Sequence, residues 1–162
     1  MFGVTMARSA ILSSNSGDER LELTPSGVID GKAERSVICD IELIGKHWGC
    51  SDENPVKVIA RQVPLPISAI SAAIRDARSW LELPLVEQGR TPINMELNLS
   101  DHFTLALGLS DRLLVSQNFA ATISLNLGTW KLETYYVTDQ SCVSEFCDGL
   151  KMIVEKYDES GT

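Results

Sequence analysis

A chain of 162 residues, 44% hydrophobic and 22% charged, has the size and composition of one globular domain, which excludes a disordered or fibrous protein. Its 22 acidic against 14 basic residues leave a net charge of -8, a field that repels phosphate backbones and disfavours a nucleic-acid ligand. No apolar run is long enough to span a bilayer, and residues 1–8 lack the apolar core of a signal peptide, so a cytoplasmic protein is expected.

Ala7 to Ser14 reads as a first strand. The turn signal Asn15-Ser16-Gly17-Asp18 and the alternating Leu21-Glu22-Leu23 complete a hairpin. Pro25 to Lys32, with Pro, Ser and two Gly, reads as a loop. Ser36 to Ile44 places Val37, Cys39, Ile41 and Leu43 on one face and Asp40 and Glu42 on the other, which predicts a half-buried strand. Gly45 to Pro55 is polar and turn-rich. Val56 to Val63 is a further strand, which Pro64 and Pro66 are expected to stop.

Beyond those prolines, Ile67, Ile70, Ile74, Ala77 and Leu81 recur at helical spacing, which predicts an amphipathic helix over about 67–82. From Thr91 the period returns to two. Ile93 to Leu99 and Phe103 to Leu109 form a hairpin across Ser100-Asp101-His102, and Leu113-Leu114-Val115 is an edge strand or loop. Phe119 to Leu127 and Trp130 to Val137 are two more strands. The last helix, about 142–157, carries Val143, Phe146, Cys147, Leu150, Ile153, Val154 and Tyr157 as one stripe, with Ser141 as its expected N-cap.

The expected fold class is therefore α+β: a mainly antiparallel curved sheet or sandwich of about 7–8 strands, packed with two amphipathic helices. One domain covers residues 1–162, with 1–8 and 158–162 fraying. Cys39, Cys50, Cys142 and Cys147 include no Cys-x-x-Cys pair and no nearby His at zinc-ligand spacing, so free thiols and no metal or other cofactor are expected.

No phosphate-binding glycine motif is present. His102 sits in a turn beside Asp101, and adjacent turn residues seldom face one another. His47 lies near Cys50, but the spacing supplies no third group to orient such a pair. The adjacent carboxylates Asp52-Glu53 and Asp18-Glu19 point apart unless a partner from elsewhere joins them, so no catalytic residue is assigned. As contacts for a basic partner they gain an anchor from Trp48, an aromatic near the 51–54 loop.

Leu21-Glu22-Leu23 after a Gly-Asp turn, the helix ending Ala77-Arg78-Ser79-Trp80-Leu81, and the Thr138-Asp139-Gln140-Ser141 link into Phe146-Cys147-Asp148-Gly149-Leu150 together resemble the WapI-type bacterial immunity proteins. The resemblance runs from Ser9 onward as an order of elements. It implies a non-enzymatic, acidic cytosolic protein that neutralises a cognate toxin domain, for which a basic nuclease is a natural target. Trp48, Asp52, Glu53, Asp18 and Glu19 are the candidate partner-binding residues read from the chain itself. Two alternatives stand beside this reading: a ligand-binding or enzymatic pocket using His47, Cys50 or His102, and an assembly subunit of phage type.

Overall fold

A computed structural model of the chain describes residues 9–14, 17–32, 34–47, 56–82, 95–100, 103–108, 118–127 and 130–159. Four strands come first: β1 (Ala10–Ser13), β2 (Arg20–Asp30), β3 (Arg35–His47) and β4 (Val56–Pro66). Helix α1 (Ile67–Leu81) follows. The pattern then repeats as β5 (Met95–Ser100), β6 (Phe103–Gly108), β7 (Asn118–Leu127), β8 (Trp130–Asp139) and helix α2 (Gln140–Glu159). The class is α+β, with an antiparallel four-stranded sheet and two helices; the class, the antiparallel pairing and both helices are as the alternating and helical periodicities predict.

The first four strands pair in sequence order, and so do the last four, each pair antiparallel. The two sets meet where Lys46 and His47 of β3 pair with Tyr135 and Thr134 of β8. The cross-strand register explains why the first sheet has one oily side. Leu12, Leu21, Leu43 and Val58 form one row across the strands, and Ala10, Leu23, Ile41 and Ala60 form the next. Seven of these eight side chains are buried and Val58 is partly so. Because strand side chains alternate with a period of two, the intervening rows must face the opposite way.

Both helices contribute to the same core. Ile70, Ala73 and Ala77 of α1, and Val143, Phe146, Cys147, Leu150 and Ile153 of α2, are buried together with the sheet residues. The helices pack on one another, and α2 also lies against β1. Gly149 permits that contact. A Cβ built there would stand 2.8 Å from the Ala10 Cα and 3.0 Å from its Cβ. Arg35 ties down the other end of α2 by donating to the Tyr157 carbonyl at 3.1 Å, while pairing with Asp30 at 2.8 Å. A cation suits the carbonyl-rich end of a helix.

Several local expectations are corrected. Pro25 to Lys32 is no loop: β2 continues through Asp30, and Pro25 pairs with Cys39. A proline is tolerated there because β1 covers β2 only over Arg20–Leu23, so the missing N–H interrupts no ladder with β1. Pro64 and Pro66 do not stop β4 either. They pair with Ile38 and Ser36, and standing two apart they place both missing donors on one edge of the strand. The N-cap of α2 is Asp139 rather than Ser141. Its Oδ1 accepts the Cys142 N–H at 2.8 Å, and the helix runs on through Glu159. Helix α1 closes at Leu81, and the Leu113-Leu114-Val115 segment lies outside the described residues.

Cys39, Cys142 and Cys147 are free thiols. Burial, with a smaller push from Asp40, raises the Cys39 thiol from 9.0 to about 12. Burial also raises Cys147 to about 11, against the pull of Arg78 and with a further push from Asp148.

Two outcomes follow from this packing. Gly149→Ala gains helix propensity of about 1 kcal/mol but drives a Cβ into the backbone of β1. A net destabilisation of about 1–3 kcal/mol in urea unfolding is expected, and an unchanged or raised midpoint would contradict the close approach. For the cysteines, the folded pKa values lie above the unfolded value of 9.0. Below pH 9 both states hold these protons; above it the unfolded chain releases them while the fold retains them. Stability therefore falls as pH rises from 9 towards 11–12, and the double variant Cys39→Ala/Cys147→Ala should show a shallower alkaline slope than the parent protein.

Candidate functional site

The helices cover one face of the first sheet, and the other face is where the candidate site lies. Its rows follow from the register. Ile11, Glu22, Glu42 and Ile59 form one, with Ile11 41% and Ile59 45% exposed. The two glutamates stand directly opposite, an unfavourable like-charge pair by itself. Arg20 resolves it by reaching Glu22 at 3.4 Å and Glu42 at 2.9 Å, and Lys57 approaches Glu42 at 4.0 Å. The side chains are partly exposed, so these pairs fix geometry more than they add stability.

Further along, the regular ladder breaks on both sides of β3. The β2–β3 register shifts between Pro25 and Gly27, and the displaced Ser26 donates its hydroxyl to the Ile38 carbonyl at 3.2 Å. The β3–β4 register shifts between Cys39 and Ile41, where Arg61 and Gln62 of β4 stand opposite Asp40 alone. Gln62 takes a left-handed backbone, φ 56°, the one such non-glycine residue among those described. Its N–H, turned out of the ladder, donates to Asp40 Oδ1 at 2.9 Å. The carboxylate thus replaces a lost backbone acceptor and holds a conformation that costs about 1–2 kcal/mol.

Between the two bulges lies an open groove of about 560 Å³, lined by Ser26, Gly27, Val28, Ile29, Ile38, Gln62 and Pro64. Val28 is 37% exposed and Ile29 54%. A Cβ added at Gly27 would meet nothing within 4 Å, so this glycine leaves open space rather than relieving a contact. Of the five large hydrophobic side chains exposed among the described residues, Ile11, Ile29 and Ile59 lie on this face, Val28 stands in the row of Val37 and Leu65 on the opposite one, and Met152 is on α2. A surface that joins apolar side chains to a polar surround has the anatomy of a protein-binding face.

The sequence-derived candidates fall elsewhere. Asp18 and Glu19 occupy the β1–β2 turn, with Asp18 exposed and Glu19 half-buried. There Gly17, at φ 83°, donates to the Ser14 carbonyl at 3.0 Å, and the Glu19 N–H donates to the Ser14 hydroxyl at 3.2 Å. These bonds shape the turn, and they place both acids away from the groove-lining residues. Trp48, Asp52 and Glu53 lie outside the described residues, as do Cys50 and His102. His47 is the last residue of β3, not part of a loop.

Among the described residues, no group of three or more His, Cys, Asp or Glu is placed to hold a metal ion. Nor, among them, is any helix long and apolar enough to cross a membrane. The groove was hidden from sequence reading because it depends on two bulges. Its signals were Pro25, Gly27, Pro64 and Pro66, which read as strand ends rather than as interruptions within paired strands.

The bulge makes a specific ordering of variants. Gln62→Gly accepts the left-handed backbone freely and should change stability by less than about 1 kcal/mol. Gln62→Val, branched at Cβ, should cost about 2 kcal/mol. Equal unfolding midpoints for the two variants would show that the bulge is unstrained.

The sequence matches no protein-family profile and no curated protein. Among solved structures, the chain is similar to MRP1/MRP2 of Trypanosoma brucei, at a TM-score of 0.47 and 10% identity, over 94% of this chain and 84% of that one. It is also similar to the plant transcriptional regulator PBF-2, at a TM-score of 0.41 and 12% identity, over 95% of this chain and 82% of that one. Likeness at this level carries no inference about ligand or activity.

Proposed function

We propose that the chain is a non-catalytic, cytoplasmic immunity protein that binds and neutralises a cognate bacterial toxin domain. The observation that supports this reading is the face of the first sheet that no helix among the described residues covers, where Ile11, Ile29 and Ile59 are exposed on a paired and therefore stiff backbone. Exposed aliphatic side chains on a rigid platform favour surface complementarity with another folded protein. In this reading β5–β8 continue the platform through the β3–β8 junction, forming the curved sheet of 7–8 strands expected from the alternating segments.

The net charge of -8 suits a basic target such as a nuclease. An acidic inhibitor competes with phosphate for such a surface, and the attraction speeds encounter more than it tightens the final complex. The acidic residues Asp18, Glu19, Asp52 and Glu53, with Trp48, then act as steering and rim groups.

The decisive experiment is a pull-down with the purified product of the adjacent gene at low and high salt. A complex at low salt that weakens but persists at high salt is expected, because apolar contact survives screening. Absence of a complex under both conditions would refute the proposal.

A further inference from the structure

The uncovered sheet face also defines how a partner can reach it. Proteins often bind extended peptides by adding a strand to a sheet edge. Here both edges beside the groove are unsuited to that mode. On the β2 side, Pro25 removes a donor and the Ser26 bulge breaks the spacing; on the β4 side, Pro64 and Pro66 remove two more, next to the Arg61–Gln62 bulge. Proline and bulges at an edge discourage pairing with another chain. A partner must therefore read the face through side chains.

The face is built for one apolar insertion. Ile29, Ile38 and Pro64 wall the groove, and Gly27 leaves its floor open. Around it, the carboxylates of Glu22, Asp40 and Glu42 match the cations of Arg20, Lys57 and Arg61 in number, so close contact buries no excess of either sign. The whole chain is different. At -8 it repels a second copy of itself and attracts a cationic body.

We propose that the groove between the two bulges is the anchor site for a basic, folded protein partner that inserts one apolar side chain beside Ile29, Ile38 and Pro64. This inference rests on the binding-protein reading above. It moves the anchor from the acidic loops to the sheet face.

Gly27→Leu fills the groove where no atom stands in the way, and Ile29→Asp places a charge at an exposed position, so both variants should fold. The probe is the purified product of the adjacent gene, titrated by calorimetry against the parent protein, the two groove variants, and loop variants Trp48→Ala/Asp52→Asn/Glu53→Gln and Asp18→Asn/Glu19→Gln. The groove variants should each weaken binding by about tenfold or more, as truncation of a central anchor does, with an unchanged circular dichroism melt. The loop variants should change affinity by roughly threefold or less at moderate salt, as rim charges do. If Gly27→Leu melts early, the Ile29→Asp result decides.

Full affinity in both groove variants, with loss in the loop variants, would overturn the groove assignment and leave the binding reading intact. No complex with the parent protein would overturn both. Sedimentation showing a parent dimer that Gly27→Leu dissociates would identify a second copy as the occupant and overturn the basic-partner assignment.

Discussion

The close approach of α2 to β1, backbone against backbone at Gly149 and Ala10, is the constraint on which the rest of the structure depends. Any side chain at Gly149 would hold the helix away from the sheet. With a hydrogen there, Phe146, Cys147, Leu150 and Ile153 reach the rows formed by Leu12, Leu21, Leu23 and Leu43. Dispersion and water exclusion both require that contact distance, since even a small gap forfeits much of the attraction. Helix α2 thereby closes over β1, and the two share one core.

Closure on one side has a consequence on the other. Both helices lie against the same face of the first sheet, so its second face has no helix from this chain among the described residues to cover it. The two bulges flank β3 where that face becomes most apolar. A bulge turns side chains and backbone groups out of register, and at Gln62 it needs the Asp40 carboxylate to satisfy the displaced N–H. Such an arrangement has a cost in backbone strain, and its product is a groove with an open floor at Gly27. A paired backbone also makes the site stiff, which lowers the ordering cost of any encounter.

Periodicity made much of this legible. The alternation of Val37, Cys39, Ile41 and Leu43 located the buried side of β3, and the stripe from Val143 to Tyr157 located the buried side of α2. Both signals arise because burial follows the helical or strand repeat directly. The prolines misled for an equally physical reason. Local reading treats proline as a strand breaker, but what matters is whether its missing donor faces a partner, and that depends on strands distant in sequence. At the start of α2 two good capping types, Asp139 and Ser141, stand two residues apart, and only the bond to Cys142 discriminates them. The proposed site was legible least of all. Loop acids stand out in a sequence, whereas Ser26, Gly27, Ile38 and Gln62 acquire meaning only when three strands lie side by side.

By itself, then, the sequence determined the class of fold, the acidic field and the identity of the residues that leave water, because composition and repeat period act locally along the chain. The tertiary structure alone decided which face of the sheet both helices would cover, where the two bulges would fall relative to each other, and hence where an open apolar groove would form. Those depend on cross-strand register and on one close contact between residues 10 and 149, relations between positions that no local pattern encodes.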